Sequence, residues 1–127
     1  MLDASAVAAI FLELDGHERL VGRCAEARQL AIGAPTLVEL EADLAGRLGI
    51  DPPPLLARFL QEFEVTIVPF TQPHWRAAAD ALRRFGAERH PAALGLGDSL
   101  AYAVARLAGQ PLLTASPALG QTDAELA

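Results

Sequence analysis

The run from Asp98 to Gly109, DSLAYAVARLAG, constrains this chain more than any other segment. Leu100, Ala101, Tyr102, Ala103, Val104, Ala105, Leu107 and Ala108 make it apolar on nearly every side of a helix, and only Arg106 interrupts it. A helix that is apolar all round has to be covered all round, so the fold must place other layers about it. Yet this helix opens on a carboxylate, and an ionised Asp taken out of water needs a partner. Two readings of Asp98 stand at this point. It caps the helix at the positive end of the dipole, or it is a metal ligand facing other carboxylates.

The remaining segments supply the layers. Met1 to Asp3 ends a short first strand, and Ala4 to Leu14 reads as an apolar helix broken at Asp15-Gly16. His17 to Arg28 alternates charged and apolar residues with helical spacing, and Gln29 to Gly33 (QLAIG) has the length of a buried strand. Pro35 opens a helix, TLVELEADLAGRLG, that Gly49 stops. Asp51-Pro52-Pro53-Pro54 opens another that reaches Phe63. Glu64 to Pro69 (EVTIVP), rich in β-branched residues, is the clearest strand. Thr71 to Phe85 is a helix with an Ala-rich face, and Gly86 to Gly97 is an irregular connection holding Arg89, His90 and Pro91. Gly109 ends the apolar helix, Leu112 to Thr114 is a last short strand, and the tail is weakly patterned. Strands that alternate with helices imply a parallel sheet covered on both faces. With right-handed crossovers this is an α/β, three-layer α/β/α sandwich around a short central parallel sheet, expected as one domain over residues 1–127. The active crevice of such a fold lies beyond the carboxyl ends of its strands.

Composition then removes whole classes of function. A hydrophobic content of 52% suits a packed domain and not a disordered chain. No stretch reaches the roughly 18 uncharged apolar residues of a membrane span, and MLDASAVAAIFLELDG lacks the basic start of a secretory signal. The single Cys24 excludes an internal disulfide, so a reducing cytoplasm is expected. A net charge of −6 argues against a broad surface coating nucleic acid, while leaving room for a local basic rim. All 10 basic residues are Arg. Without a Lys there is no Walker-type phosphate loop, no Schiff-base enzyme and no response-regulator receiver.

The predicted topology puts three carboxylates near one sheet edge: Asp3 after the first strand, Glu39 one turn into the helix after the second, and Asp98 before the last strand. Each has a plain alternative. Asp3 caps the first helix, and Glu39 faces solvent beside Glu41 and Asp43. Three carboxylates facing one another cannot all stay ionised without a cation. Oxygen-only ligation suits Mg²⁺, with Mn²⁺ as a substitute. Arg83, Arg84, Arg89 and His90, in RRFGAERH, either hold phosphates at the mouth of the site or form a solvated charged helix end. Tyr102 and Trp75 read as core or dimer-contact residues.

LDASAV, PTLVELE and RRFGAERHPAALGLGDSLAYAVARLAGQPLL, with QTD in the tail, resemble PIN-domain ribonucleases of the VapC toxin type across the whole chain. The resemblance implies a magnesium-dependent endoribonuclease neutralised by a small VapB-like antitoxin, acting on RNA and forming a homodimer. Asp3, Glu39 and Asp98 match the family's first three acids, and Ser5 matches the hydroxyl beside the first. Ser5, Arg84 and Arg89 are the expected substrate-binding residues. The apolar helices at 4–14 and 35–48 are the expected walls of an antitoxin groove. Where the family reads like GNDF after the last strand, this chain has Ser116, Pro117, Ala118 and Leu119. The fourth acid is therefore replaced by Ala118, which points to a catalytically weakened binding module as the alternative function. Ala4, Ala87, Gly95 and Ser99 also depart from the residues common in the family. Asp123 matches an Asp the family already carries and is not expected to replace the missing acid.

Overall fold

The computed structural model describes residues 1–49 and 51–127. Six α-helices are seen among them: α1 (Ala4–Phe11), α2 (His17–Glu26), α3 (Ala34–Leu48), α4 (Pro53–Glu62), α5 (Gln72–Phe85) and α6 (Leu96–Ala108). β1 (Ala31–Gly33) and β2 (Thr66–Val68) pair in parallel, with Ile32 opposite Ile67. The sheet continues from β1 through single parallel bridges, Leu2 to Ile32, Leu2 to Leu113, and Leu112 to Leu126. The short central parallel sheet is present, but the expected strands at Met1–Asp3 and Leu112–Thr114 shrink to isolated bridging residues, Leu2 in the first and Leu112 and Leu113 in the second. The reason is local. The Asp3 amide still reaches the Leu113 carbonyl, at 3.2 Å, but the Asp3 side chain is already capping α1. The spans 29–33 and 64–69 are likewise trimmed to three paired residues each.

Side-chain alternation along these strands makes the layers. Leu2, Ile32 and Leu113 face a core shared with Val7, Leu20, Leu40, Leu44, Leu56 and Phe59 of α1 to α4. Their strand neighbours Met1, Ala31 and Leu112 face a second core with Phe85 of α5, Tyr102 and Val104 of α6, and Leu119. Neighbouring strand residues point to opposite faces, so each face of the sheet carries its own helical layer. The expected three-layer sandwich is thereby realised.

Several helix ends move relative to the sequence pattern. α1 stops at Phe11 instead of Leu14, and Glu13 turns to a φ of 51°. α2 stops at Glu26, where Ala27 becomes extended. Gly49 and Gly109 do end α3 and α6 in the left-handed conformation, with φ values of 64° and 63°. α6 is buried from Ala101 to Ala105, but its terminal Leu96 and Leu107 are exposed, so burial on every side holds only for its middle. Trp75 is 58% exposed and is not a core residue; the Arg76 guanidinium lies over its ring. Tyr102 is in the core as expected.

Candidate functional site

Asp3 leaves the sheet at the carboxyl end of its strand and is 2% exposed. It is the N-cap of α1, and its Oδ1 accepts the Ala6 amide at 2.8 Å. The Ser5 hydroxyl donates across both of its oxygens, at 2.9 Å each, and the Thr114 hydroxyl donates to Oδ2. The capping reading of Asp3 is therefore correct, and it leaves room for a second role: the same carboxylate is electrostatically coupled to Asp98. Burial pushes the Asp3 carboxyl above its ordinary value, against the pull of the Thr114, Ala6 and Ser5 donors, and the Asp98 charge pushes it in the same direction.

The capping reading of Asp98 is overturned. Gly95 is the N-cap of α6, and Asp98 is the third helical residue, still within the positive first turn. Its Oδ2 accepts the Ser116 hydroxyl at 2.8 Å. Glu39 lies on α3, and its carboxylate occupies the space a Cβ would take at Gly97, so any side chain there would collide with it. Although Glu39 is exposed as a residue, its carboxyl is pushed up, first by partial burial and then by the charges of Asp98, Asp3 and Asp43. The structure thus brings Asp3, Glu39 and Asp98 to one edge of the sheet. Glu39 and Asp98 line a cleft of about 880 Å³ between α1 and α3, together with Ser5, Ala8, Asp43 and Arg47.

None of the ion pairs among the described residues involves Asp3, Glu39 or Asp98. No group of three carboxylate, His or Cys side chains among the described residues stands ready to hold an ion as placed. The donor chemistry nevertheless fits a hard cation. All the facing groups are oxygens, burial and then the neighbouring charges push two of the acids toward protonation, and a divalent ion that keeps several waters needs few direct protein ligands.

The expected substrate-binding residues are dispersed. The Ser5 hydroxyl is committed to Asp3 and accepts the Ala115 amide at 2.9 Å. Arg84 pairs with Asp123 at 2.9 Å and with Asp80 at 3.7 Å, and it lies over the Phe85 ring. Arg83 also pairs with Asp80, at 3.5 Å. Arg89 is exposed, and the neighbouring His90 uses Nδ1 to accept the Ala92 amide at 3.0 Å, stabilising a turn. Among the described residues lining the cleft the cation is Arg47, paired with Asp43 at 3.0 Å. Sequence reasoning missed Thr114, Ser116, Gly97 and Arg47. Thr114 carried a faint signal as the polar end of LLT; the other three carried none until the chain was folded.

The PIN domain family model matches residues 1–124. Ribonuclease VapC36 of Mycobacterium tuberculosis is 36% identical over 126 residues, covering 98% of this chain and 91% of the relative. Ribonuclease VapC of Mycolicibacterium smegmatis is 32% identical, covering 97% and 95%. A VapC ribonuclease of Rhizobium meliloti is 31% identical, covering 96% of each.

Proposed function

Because this chain belongs to the PIN domain family, with VapC-type relatives along nearly its whole length, we propose that it is a metal-dependent endoribonuclease toxin, built as one domain over residues 1–127. One observation carries the reading. Asp3 and Glu39 are each pushed toward protonation, first by burial and then by the charge of neighbouring acids, and none of the ion pairs among the described residues involves them. A divalent ion, Mg²⁺ or Mn²⁺, relieves that repulsion. Bound there, the ion supplies an activated water and neutralises charge on an RNA phosphodiester.

Asp3 and Asp98 hold the ion, and Glu39 completes its surroundings or orients water. Ser5 and Thr114 hold the Asp3 carboxylate in a fixed orientation. Ser5, Arg84 and Arg89 are the candidate contacts to RNA, with Arg47 added from the cleft. The partners are RNA, a VapB-like antitoxin and a second copy of the chain. No helix among the described residues is long and apolar enough to cross a membrane. The location proposed is the cytoplasm.

The test is cleavage of RNA by the purified chain with Mg²⁺ or Mn²⁺, compared with EDTA. Activity that appears with the metal and is lost in Asp98→Asn supports the reading. RNA left intact by the metal-supplied wild type, with unchanged growth on expression, defeats it.

A second reading, a weakened binding module, is favoured by the fate of the tail. Ala118 packs against the second core, and Asp123 is bound to Tyr102, Arg84 and Arg106. RNA retention without cleavage by the wild type, with cleavage gained in Ala118→Asp, selects it.

A further inference from the structure

The segment 114–116 is tied to both aspartates at once. The Thr114 hydroxyl donates to Asp3, and its oxygen accepts the Ser116 amide at 2.9 Å. The Ala115 amide donates to Ser5, which itself donates to Asp3. The Ser116 hydroxyl donates to Asp98 Oδ2 at 2.8 Å. Each hydroxyl has one proton, and each spends it on a carboxylate. The segment therefore hands one hydroxyl to each acid, and it bridges a residue at the sheet edge to a residue in the first turn of α6.

We infer that Ser116 is a positioning residue for Asp98, and that it does for this site what a further acid from the same segment does not do. This rests on the reading of the site given above. A carboxylate held by one oxygen is fixed in orientation. Among the described residues Asp98 Oδ1 has no hydrogen-bond partner, and Asp98 lines the cleft. Ser116 thus fixes Asp98 while leaving it an oxygen to offer. Ala118, two residues on, packs against the second core. The contribution of this segment to Asp98 is consequently a neutral donor that adds no further negative charge to a crowded edge. A charge-assisted hydrogen bond from a neutral hydroxyl is short, directional and stronger than one between neutral groups.

The experiment measures Mn²⁺ binding by calorimetry and RNA cleavage for the full chain and for Ser116→Ala, Ser116→Thr and Asp98→Asn. Ser116→Ala is expected to weaken Mn²⁺ binding by about tenfold or more, the loss of one hydrogen bond to a charged group, and to lower kcat at nearly constant KM. Ser116→Thr keeps the hydroxyl and is expected to stay within about twofold of wild type. Should Ser116→Ala fail to fold, Ser116→Cys, with a weak donor of similar size, reads the same loss. Wild-type affinity in the hydroxyl-free variant overturns the inference, as does a Thr variant as impaired as the Ala variant. A wild type that binds no Mn²⁺, or binding that survives Asp98→Asn, overturns the reading of the site and the inference together.

Discussion

At the start of α6, the Asp98 charge adds to the burial that pushes Asp3 and Glu39 toward protonation, and among the described residues the two aspartates are held by hydroxyls and an amide. Farther along the same helix, Tyr102 and Arg106 meet Asp123 in a different bargain. Asp123 Oδ1 accepts the Tyr102 hydroxyl at 2.6 Å, and Oδ2 accepts Arg84 at 2.9 Å and Arg106 at 3.4 Å. The Tyr102 hydrogen bond, assisted by the two guanidinium groups, holds the Asp123 carboxyl below its ordinary value, although partial burial opposes this. One region neutralises its acid from within the chain; the other leaves its acids short of positive charge. A carboxylate compensated internally fastens the tail to the fold. Carboxylates without an internal counter-charge suit the ligand role proposed for them.

The contrast is broken most decisively at Asp98. Asp98→Asn is expected to reduce metal-supported RNA cleavage by about 100-fold or more. Its metal-free melting temperature is expected to hold or rise, because Ser116 keeps an acceptor and one like charge is gone. Cleavage assays paired with thermal unfolding in EDTA check both. Next in size, saturating Mn²⁺ is expected to stabilise the wild type by about 2.7 kcal/mol at 100 times Kd, and Asp98→Asn by far less, read from unfolding with and without the metal. An equal shift in the two chains would place the ion elsewhere.

Asp123→Asn is expected to do the reverse of Asp98→Asn. Stability falls by about 1–2 kcal/mol, because the amide keeps one acceptor for the largely buried Tyr102 but removes the charge that strengthens that hydrogen bond, while Mn²⁺ affinity stays within about twofold. Urea unfolding and calorimetry separate the two effects.

The smallest effect concerns pH. Glu39 has a raised pKa, so the folded chain binds its proton more tightly than the unfolded chain. Its destabilising contribution is complete above the folded pKa and disappears as pH falls below the ordinary 4.5. Asp123 has a lowered pKa, so its stabilising contribution is complete above 3.8 and is lost as pH falls through the folded value. In EDTA at neutral pH, Glu39→Gln is expected to gain about 0.5 kcal/mol, kept small by solvent screening. That gain shrinks on acidification toward pH 4, where Asp123→Asn still shows its loss. Unfolding curves across pH that show the same sign for both variants would erase the contrast.

Local patterns were legible wherever local forces decide. The left-handed glycines at 49 and 109 ended their helices where the sequence placed them, because that backbone conformation suits a residue without a Cβ. The acids at 3, 39 and 98 were readable as candidates because each sits beside apolar neighbours at a predicted sheet edge. The capping alternative for Asp98 could not be dismissed locally, because Gly95 and Asp98 both satisfy the rule for a helix start; the folded chain caps α6 with Gly95. Arg84 was legible as a cation in a charged run, either at the mouth of the site or at a solvated helix end. Its partner Asp123 is 39 residues away, beyond the reach of any local pattern.

The amino-acid sequence by itself determined the layered α/β class, the helix punctuation and the identity of the acids, since periodicity, turn chemistry and burial preference act over a few residues. Tertiary structure alone decided which charges meet. Coulomb and hydrogen-bond energies depend on distance in space, and the contacts that sort Asp3, Glu39 and Asp98 from Asp123 join segments far apart along the chain.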